Sequence, residues 1–161
     1  MKRHLGVSLA NFEKLLRKCS GKRLAYDTET TGLSSFHNHV ISMAVYCPDA
    51  GIEFCADVGF AVEDENDPRV VEFEKELHRI VSHTIAPGTT LIAHNSKFDM
   101  AFAGITPTAC RGYNIIDTPV MIHLLDPRNK KGLESAEKVL LGTNSKREHV
   151  DEAPVVELKN S

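Results

Sequence analysis

The sequence has no tryptophan and only four cysteines among its 161 residues. Cys19, Cys47, Cys55 and Cys110 form no Cys-x-x-Cys pair. That argues against a zinc ribbon or a disulfide scaffold and reads as core thiols in a reducing compartment. Cys47 and Cys55 are the one pair placed to face each other across a hairpin. No apolar run is long enough to span a membrane, and the basic start Met1-Lys2-Arg3-His4-Leu5-Gly6 has no apolar stretch behind it. Neither a span nor a signal peptide is read, and a cytoplasmic location is expected. Basic residues are not in excess: 19 Lys and Arg against 22 Asp and Glu leave a net charge of -3. This argues against a protein that coats duplex nucleic acid with a broad basic face. It leaves room for a site that grips a few phosphates through bound cations, which supply the positive charge locally. There is no internal repeat and no low-complexity tract.

What is present suffices for one packed domain. Ser8 precedes a helical stripe of Leu9, Phe12, Leu15 and Leu16, so a helix is predicted over 8–20, closed by Gly21. An apolar entry, Leu24-Ala25-Tyr26, reads as a strand that Gly32 punctuates. Residues 40–47 and 52–58, joined by the turn Pro48-Asp49-Ala50-Gly51, read as an antiparallel hairpin. The acidic stretch 63–68 reads as a solvated loop. A helix is predicted over 69–83, a strand over 89–93, a helix over about 96–103 and a short extended piece over 113–117. Helices at 119–125 and 133–141 follow, separated by a polar loop and ended by Gly142. Strands first, then strands alternating with helices, predict an α/β layer fold with a mixed central sheet. Residues 1–142 read as the domain, and 143–161 as a polar tail or an unfinished connection.

Two stretches carry chemistry. In Asp27-Thr28-Glu29-Thr30, alternation along a strand puts Asp27 and Glu29 on one face and turns Thr28 away. Two neighbouring anions at the end of a buried strand repel each other, and a hard divalent cation, magnesium or manganese, relieves the cost. In His94-Asn95-Ser96-Lys97-Phe98-Asp99, a strand delivers the chain to a helix start. Asp99 falls in the first turn, where a carboxylate complements the helix dipole. Phe98 is expected to point into the core and anchor that helix. Asn95 either caps the helix or offers its amide to a phosphate.

Together, and in this order, the two stretches resemble the DEDD superfamily of 3′-5′ exonucleases. Asp27-Thr28-Glu29-Thr30 with Gly32 and Leu33 is similar to its first motif, and Asn95-x-x-Phe98-Asp99 to its second. Ile115-Ile116-Asp117-Thr118 followed by Leu124-Leu125-Asp126-Pro127 resembles the segment that follows in the exonuclease domains of family A DNA polymerases. The resemblance implies a ribonuclease H-like mixed sheet flanked by helices. It implies two divalent cations, Mg2+ or Mn2+, with Asp27 bridging both, Glu29 helping to hold the ion that carries the attacking water, and Asp99 near the second ion. The implied reaction is hydrolysis of the terminal phosphodiester of single-stranded DNA in proofreading, releasing nucleoside 5′-monophosphates, in a bacterial or phage-like setting. Leu33 resembles the residue that packs on the terminal base. Asn95 and Phe98 resemble substrate-groove residues, Thr30 and Lys97 beside the two motifs are taken as further substrate-binding candidates, and Asp117 resembles a recurrent family position that we read as structural.

The family's third motif, Tyr-x-x-x-Asp or His-x-x-x-x-Asp, is not found. His149 and Asp151 are only two apart. The expectation is a truncated or split domain completed by a polymerase polypeptide or by a downstream segment, with poor activity in the isolated chain. A non-catalytic single-strand-binding or polymerase-docking module on the same fold, and an RNA 3′-exonuclease, are the alternatives. Arg128, Lys130, Lys131, Lys146 and Arg147 read as solvated loop residues before phosphate contacts, and Lys97 is the better candidate. His37 and His39 read as loop residues without a ligand role.

Overall fold

The computed structural model describes residues 1–128 and 132–142, leaving aside the side chain of Val139. The predicted tail at 143–161, with Lys146, Arg147, His149 and Asp151, lies outside the described residues, as do Lys130 and Lys131. The chain divides into two compact units, Met1–Met121 and Ile122–Ser161.

The first unit is built on a six-stranded sheet in the order β1-β4-β3-β2-β5-β6. Its strands are β1 (Lys2–His4), β2 (Arg23–Thr30), β3 (Val40–Cys47), β4 (Ile52–Asp57), β5 (Thr90–Ala93) and β6 (Asn114–Asp117). The β2–β3 and β3–β4 pairs are antiparallel, whereas β1–β4, β2–β5 and β5–β6 are parallel, so the sheet is mixed as expected. Strand β1 has no counterpart in the sequence reading: three exposed residues carry no alternation to detect.

Helix α1 (Leu9–Cys19) starts where the Ser8 side chain accepts the Asn11 N–H, and it buries Phe12, Leu16 and Cys19 at helical spacing. Helix α2 (Pro68–Thr84) has Pro68 in its first turn, and the Asp67 side chain accepts the Arg69 N–H. The Asp67 carboxyl is held below its usual range by the Arg69 guanidinium. Part of the acidic loop is thus a helix cap. Phe73, Leu77 and Ile80 of α2 and Phe12 and Leu16 of α1 form a core with Leu24, Met43, Val45 and Phe54 of the sheet. Phe12 meets Phe54 edge-on at 5.1 Å. Helices α3 (Ser96–Phe102) and α4 (Pro107–Cys110) follow β5, and α5 (Thr118–Leu125) follows β6. The four-residue α4 lacked a periodic signal.

Cys47 and Cys55 do not face each other. Cys47 pairs with Ile52 and Cys55 with Ala44, and Cys47 is buried on the helix-covered face while Cys55 alternates to the other. Cys47 instead lies beside Cys19. Burial first, and then Cys47, push the Cys19 thiol up to about 12. All four cysteines are free thiols. Two register facts position the site. Strand β5 pairs with β2 only as far as Ala25, and a bulge separates Glu29 from Thr30 where β2 leaves β3.

In the second unit, Asp126 accepts Arg128 through Nε and Nη2, both at 3.0 Å, so that cation is already engaged. Helix α6 (Leu133–Leu141) ends at Gly142, whose φ of 64° closes it as expected.

Candidate active site

Strand β2 buries Leu24, Tyr26 and Thr28 on the helix-covered face and leaves Asp27 and Glu29 exposed on the other. The residues opposite them on β3 are Ala44 and Ser42. Both are small, so the two carboxylates stand in the open. Thr28 is turned away from them, as the alternation predicts, but it is not idle. Beyond Ala25 the β5 side of β2 has no ladder partner. There the Thr28 N–H is taken by the Asp99 carboxylate at 3.0 Å, and the Thr28 hydroxyl donates to the same oxygen at 2.8 Å. Asp99 is 3% exposed. Burial is the main cause that pushes its carboxyl above the usual range; the two Thr28 bonds oppose this, and the charge of Asp27 adds to it. Asp27 and Asp99 therefore share one electrostatic neighbourhood. Sequence reasoning gave Thr28 no part. Its one signal is a polar residue at a buried strand position.

The start of α3 is built differently from either expectation for Asn95. Asn95 adopts a left-handed conformation, φ 73° and ψ 53°, the only described non-glycine residue at positive φ, and its side chain makes no capping bond. The cap is Asp117, at the end of β6. It accepts the Asn95 N–H at 3.1 Å, the Ser96 N–H at 3.2 Å and the Ser96 hydroxyl at 3.0 Å. The Asn95 side chain is exposed, as is Lys97. Phe98 is half-buried against the core and lies 4.8 Å from Phe102, which fits the anchoring role. His94 Nδ1 bonds the Thr118 hydroxyl at 2.7 Å.

The loop from β2 to β3 is fixed by its own polar groups. Thr31 N–H donates to the His39 carbonyl, and His39 N–H donates back to the Thr31 hydroxyl. His39 Nδ1 bonds Glu74 at 2.7 Å, so it is a structural tie, as a loop role implies. The Thr30 hydroxyl donates to the Gly32 carbonyl at 2.6 Å. A Cβ on Gly32 would stand 2.6 Å from the Asn38 side chain, which accounts for the glycine. Leu33 is 88% exposed.

Among the described residues, no group of three or more His, Cys, Asp or Glu side chains is gathered closely enough to hold a metal ion. The expected convergence of Asp27, Glu29 and Asp99 on shared ions is therefore not formed. Burial separates them: Asp99, removed from water, takes its hydrogen bonds from Thr28, while Asp27 and Glu29 are exposed on the other face of β2. The donor chemistry still suits hard divalent ions. All three groups are carboxylates, two are exposed side by side, and the third is coupled to Asp27. Among the described residues, no helix is long and apolar enough to cross a membrane.

No family model matches the chain. Over 125 residues it is 26% identical to the DNA polymerase III subunit epsilon of Treponema pallidum (strain Nichols), a match covering 64% of this chain and 56% of that protein. The EXO domain of Aedes aegypti Nibbler superposes with a TM-score of 0.59 at 13% identity, covering 96% of this chain and 77% of that one. The chain has the fold of the DEDD 3′-5′ exonucleases. Escherichia coli RNase D, an exoribonuclease involved in structured RNA processing, shares that fold with a TM-score of 0.56 at 14% identity, over 99% of this chain and 39% of its own. The stretch Asp27–Thr30, which resembles the first motif, lies on β2, and Asn95–Asp99, which resembles the second, lies at the β5–α3 junction. The chain spans little more than half the length of the curated relative.

Proposed function

We propose that this chain belongs to a 3′-5′ exonuclease that hydrolyses the terminal phosphodiester of single-stranded DNA and releases nucleoside 5′-monophosphates. One observation carries the reading. Asp99 is bonded to Thr28, the residue between Asp27 and Glu29, so acidic stretches 71 residues apart are tied together at one strand end. When bound, a pair of magnesium or manganese ions supplies an oriented hydroxide and stabilises the leaving 3′ oxygen. Asp27 and Glu29 offer exposed oxygens to those ions, and Asp99 adds a third carboxylate beside Asp27. Leu33 meets the terminal base, with Thr30 at the same strand end. Asn95 and Lys97 stand at the start of α3, where they reach phosphates, and Phe98 braces that helix.

The finer reading is proofreading in the bacterial or phage-infected cytoplasm, beside a DNA polymerase of family A. The resemblance around Ile115–Thr118 supports the family, and a relative that is a DNA polymerase subunit supports DNA as substrate. RNA is the competing substrate, favoured by the likeness to an exoribonuclease. A non-catalytic single-strand-binding module is the second reading. It is favoured by the lack of a gathered group of three metal-ligating side chains among the described residues.

The test uses the full chain with manganese and 5′-labelled single-stranded DNA and RNA, alone and with the polypeptide encoded downstream. Stepwise shortening from the 3′ end is expected, at least ~100-fold slower in Asp27→Ala, the scale on which losing a group that stabilises transition-state charge is felt. Undiminished release in that variant overturns the assigned site. Binding without turnover, even with the downstream polypeptide, selects the non-catalytic module, and the preferred oligonucleotide decides between DNA and RNA.

A further inference from the structure

The β2–β3 loop displays a second apolar side chain that the reading above does not use. Phe36 is 91% exposed and Leu33 is 88% exposed; the next most exposed large hydrophobic residue among those described, Leu124, stands at 73%. Phe36 sits at the tip of a turn in which the Ser34 carbonyl accepts both the His37 N–H at 3.0 Å and the Asn38 N–H at 2.8 Å. Asn38 locks that turn: its Oδ1 accepts the Ser34 N–H at 3.1 Å, and its Nδ2 donates to Glu65 at 2.8 Å. An aromatic ring held out on a bonded turn contributes almost nothing to the core. Single exposed apolar side chains are ordinary on a protein surface; this one is distinguished by the bonded turn that holds it out beside the end of β2.

We propose that Phe36 is a base-stacking residue, taking a nucleobase of the single strand other than the terminal one that Leu33 meets. This rests on the exonuclease reading. Three features support it. The loop follows directly on Glu29, since the β2–β3 ladder closes at Thr30 and Val40, so it begins beside the exposed carboxylate pair. Leu33 and Phe36 are each almost fully exposed, so neither covers the other, and they act as two separate prongs and not as one flat patch. A phenyl face stacks on any base, which suits an enzyme that removes nucleotides regardless of sequence. The loop carries no Lys or Arg, so Phe36 has no cationic side chain beside it in the loop.

The test is fluorescence anisotropy with the full chain in magnesium, using a short labelled DNA strand with phosphorothioate linkages at its 3′ end to block cleavage. A series with one abasic position among the last three nucleotides accompanies it. Phe36→Ala is expected to fold normally and to weaken binding about five- to a hundred-fold, as loss of one stacked base does. An abasic site at one internal position should weaken the wild type equally and cost Phe36→Ala nothing further. Phe36→Trp introduces the chain's sole tryptophan; it should retain affinity, with its emission quenched by the strand. Unchanged affinity in Phe36→Ala, or losses that multiply with every abasic position, overturns this inference and leaves the exonuclease reading standing. Failure of the wild type to bind any strand overturns both. Self-association in sedimentation that is lost in Phe36→Ala assigns the ring to a second copy of the chain and overturns the stacking role.

Discussion

Asp99 accepts two hydrogen bonds from Thr28, from the backbone N–H at 3.0 Å and from the hydroxyl at 2.8 Å. They are the tie between β2 and α3 at the candidate site. Thr28→Val keeps the shape and removes the hydroxyl bond to a buried carboxylate, so it is expected to cost ~1.5–3 kcal/mol, the range for hydrogen bonds to charged groups. Thr28→Ser should recover most of it. Urea unfolding of the three proteins measures the difference. Equal stability of wild type and Thr28→Val contradicts the tie.

The same carboxylate sets a pH dependence. Burial and the Asp27 charge hold the Asp99 carboxyl above its usual range in the folded chain. The neutral form is therefore favoured by folding: its contribution is present in full below the ordinary carboxylate value of about 4 and is lost as pH rises through the raised folded value. Asp99→Asn keeps an oxygen acceptor for Thr28 without the charge. It should unfold at a higher temperature than wild type at pH 7, with the gap closing as pH falls towards 4. Asp27→Asn should shift the wild-type curve the same way but less, since the Asp27 charge is a smaller cause than burial. Thermal unfolding at a series of pH values checks both. A gap that widens in acid has the wrong sign.

At the start of α3, stability and the proposed binding are expected to separate onto different side chains. Asp117 holds the helix start through three accepted bonds, so Asp117→Ala is expected to cost ~1–2 kcal/mol, as loss of a helix cap does. Asn95, by contrast, sits at φ 73° with no capping bond. Asn95→Gly removes the positive-φ penalty and should leave stability unchanged or raise it by up to ~1 kcal/mol. It should still weaken oligonucleotide binding if the exposed amide reaches a phosphate. Denaturant titration beside anisotropy reads the two effects in one pair of variants.

Much of this was legible in the sequence because it is local. The stripe from Phe12 to Leu16, the alternation through Tyr26, Asp27, Thr28 and Glu29, and the hairpin around Pro48–Gly51 each fix an element from within a dozen residues. Features that depend on partners far along the chain were not readable. Strand β1 exists only through its pairing with β4, and the cap of α3 comes from Asp117, 22 residues beyond Asn95. Cys47 faces Cys19 and not its hairpin neighbour, because strand alternation puts Cys55 on the opposite face. The carboxylates show both sides of this. Their identity and order were plain, but the turn of Asp99 onto Thr28 follows from where β5 stops pairing, which no local pattern encodes.

Ion binding can be read without turnover. Asp27 and Glu29 are exposed beside small neighbours, so an ion meets little steric obstruction there. An ion that binds only the folded chain stabilises it by about 2.7 kcal/mol at one hundred times its dissociation constant. Manganese or magnesium should therefore raise the unfolding temperature of the wild type with increasing concentration. Asp27→Ala and Glu29→Gln should each remove most of that rise. Asp99→Asn should remove less, because Asp99 is buried and already bonded to Thr28. A rise that persists undiminished in the Asp27 and Glu29 variants places the ion elsewhere and detaches the acidic pair from metal chemistry. No rise at any concentration in the wild type, with strand binding retained, favours the non-catalytic module. The ordering of the three variants separates a specific site from diffuse screening, which would treat each lost carboxylate alike.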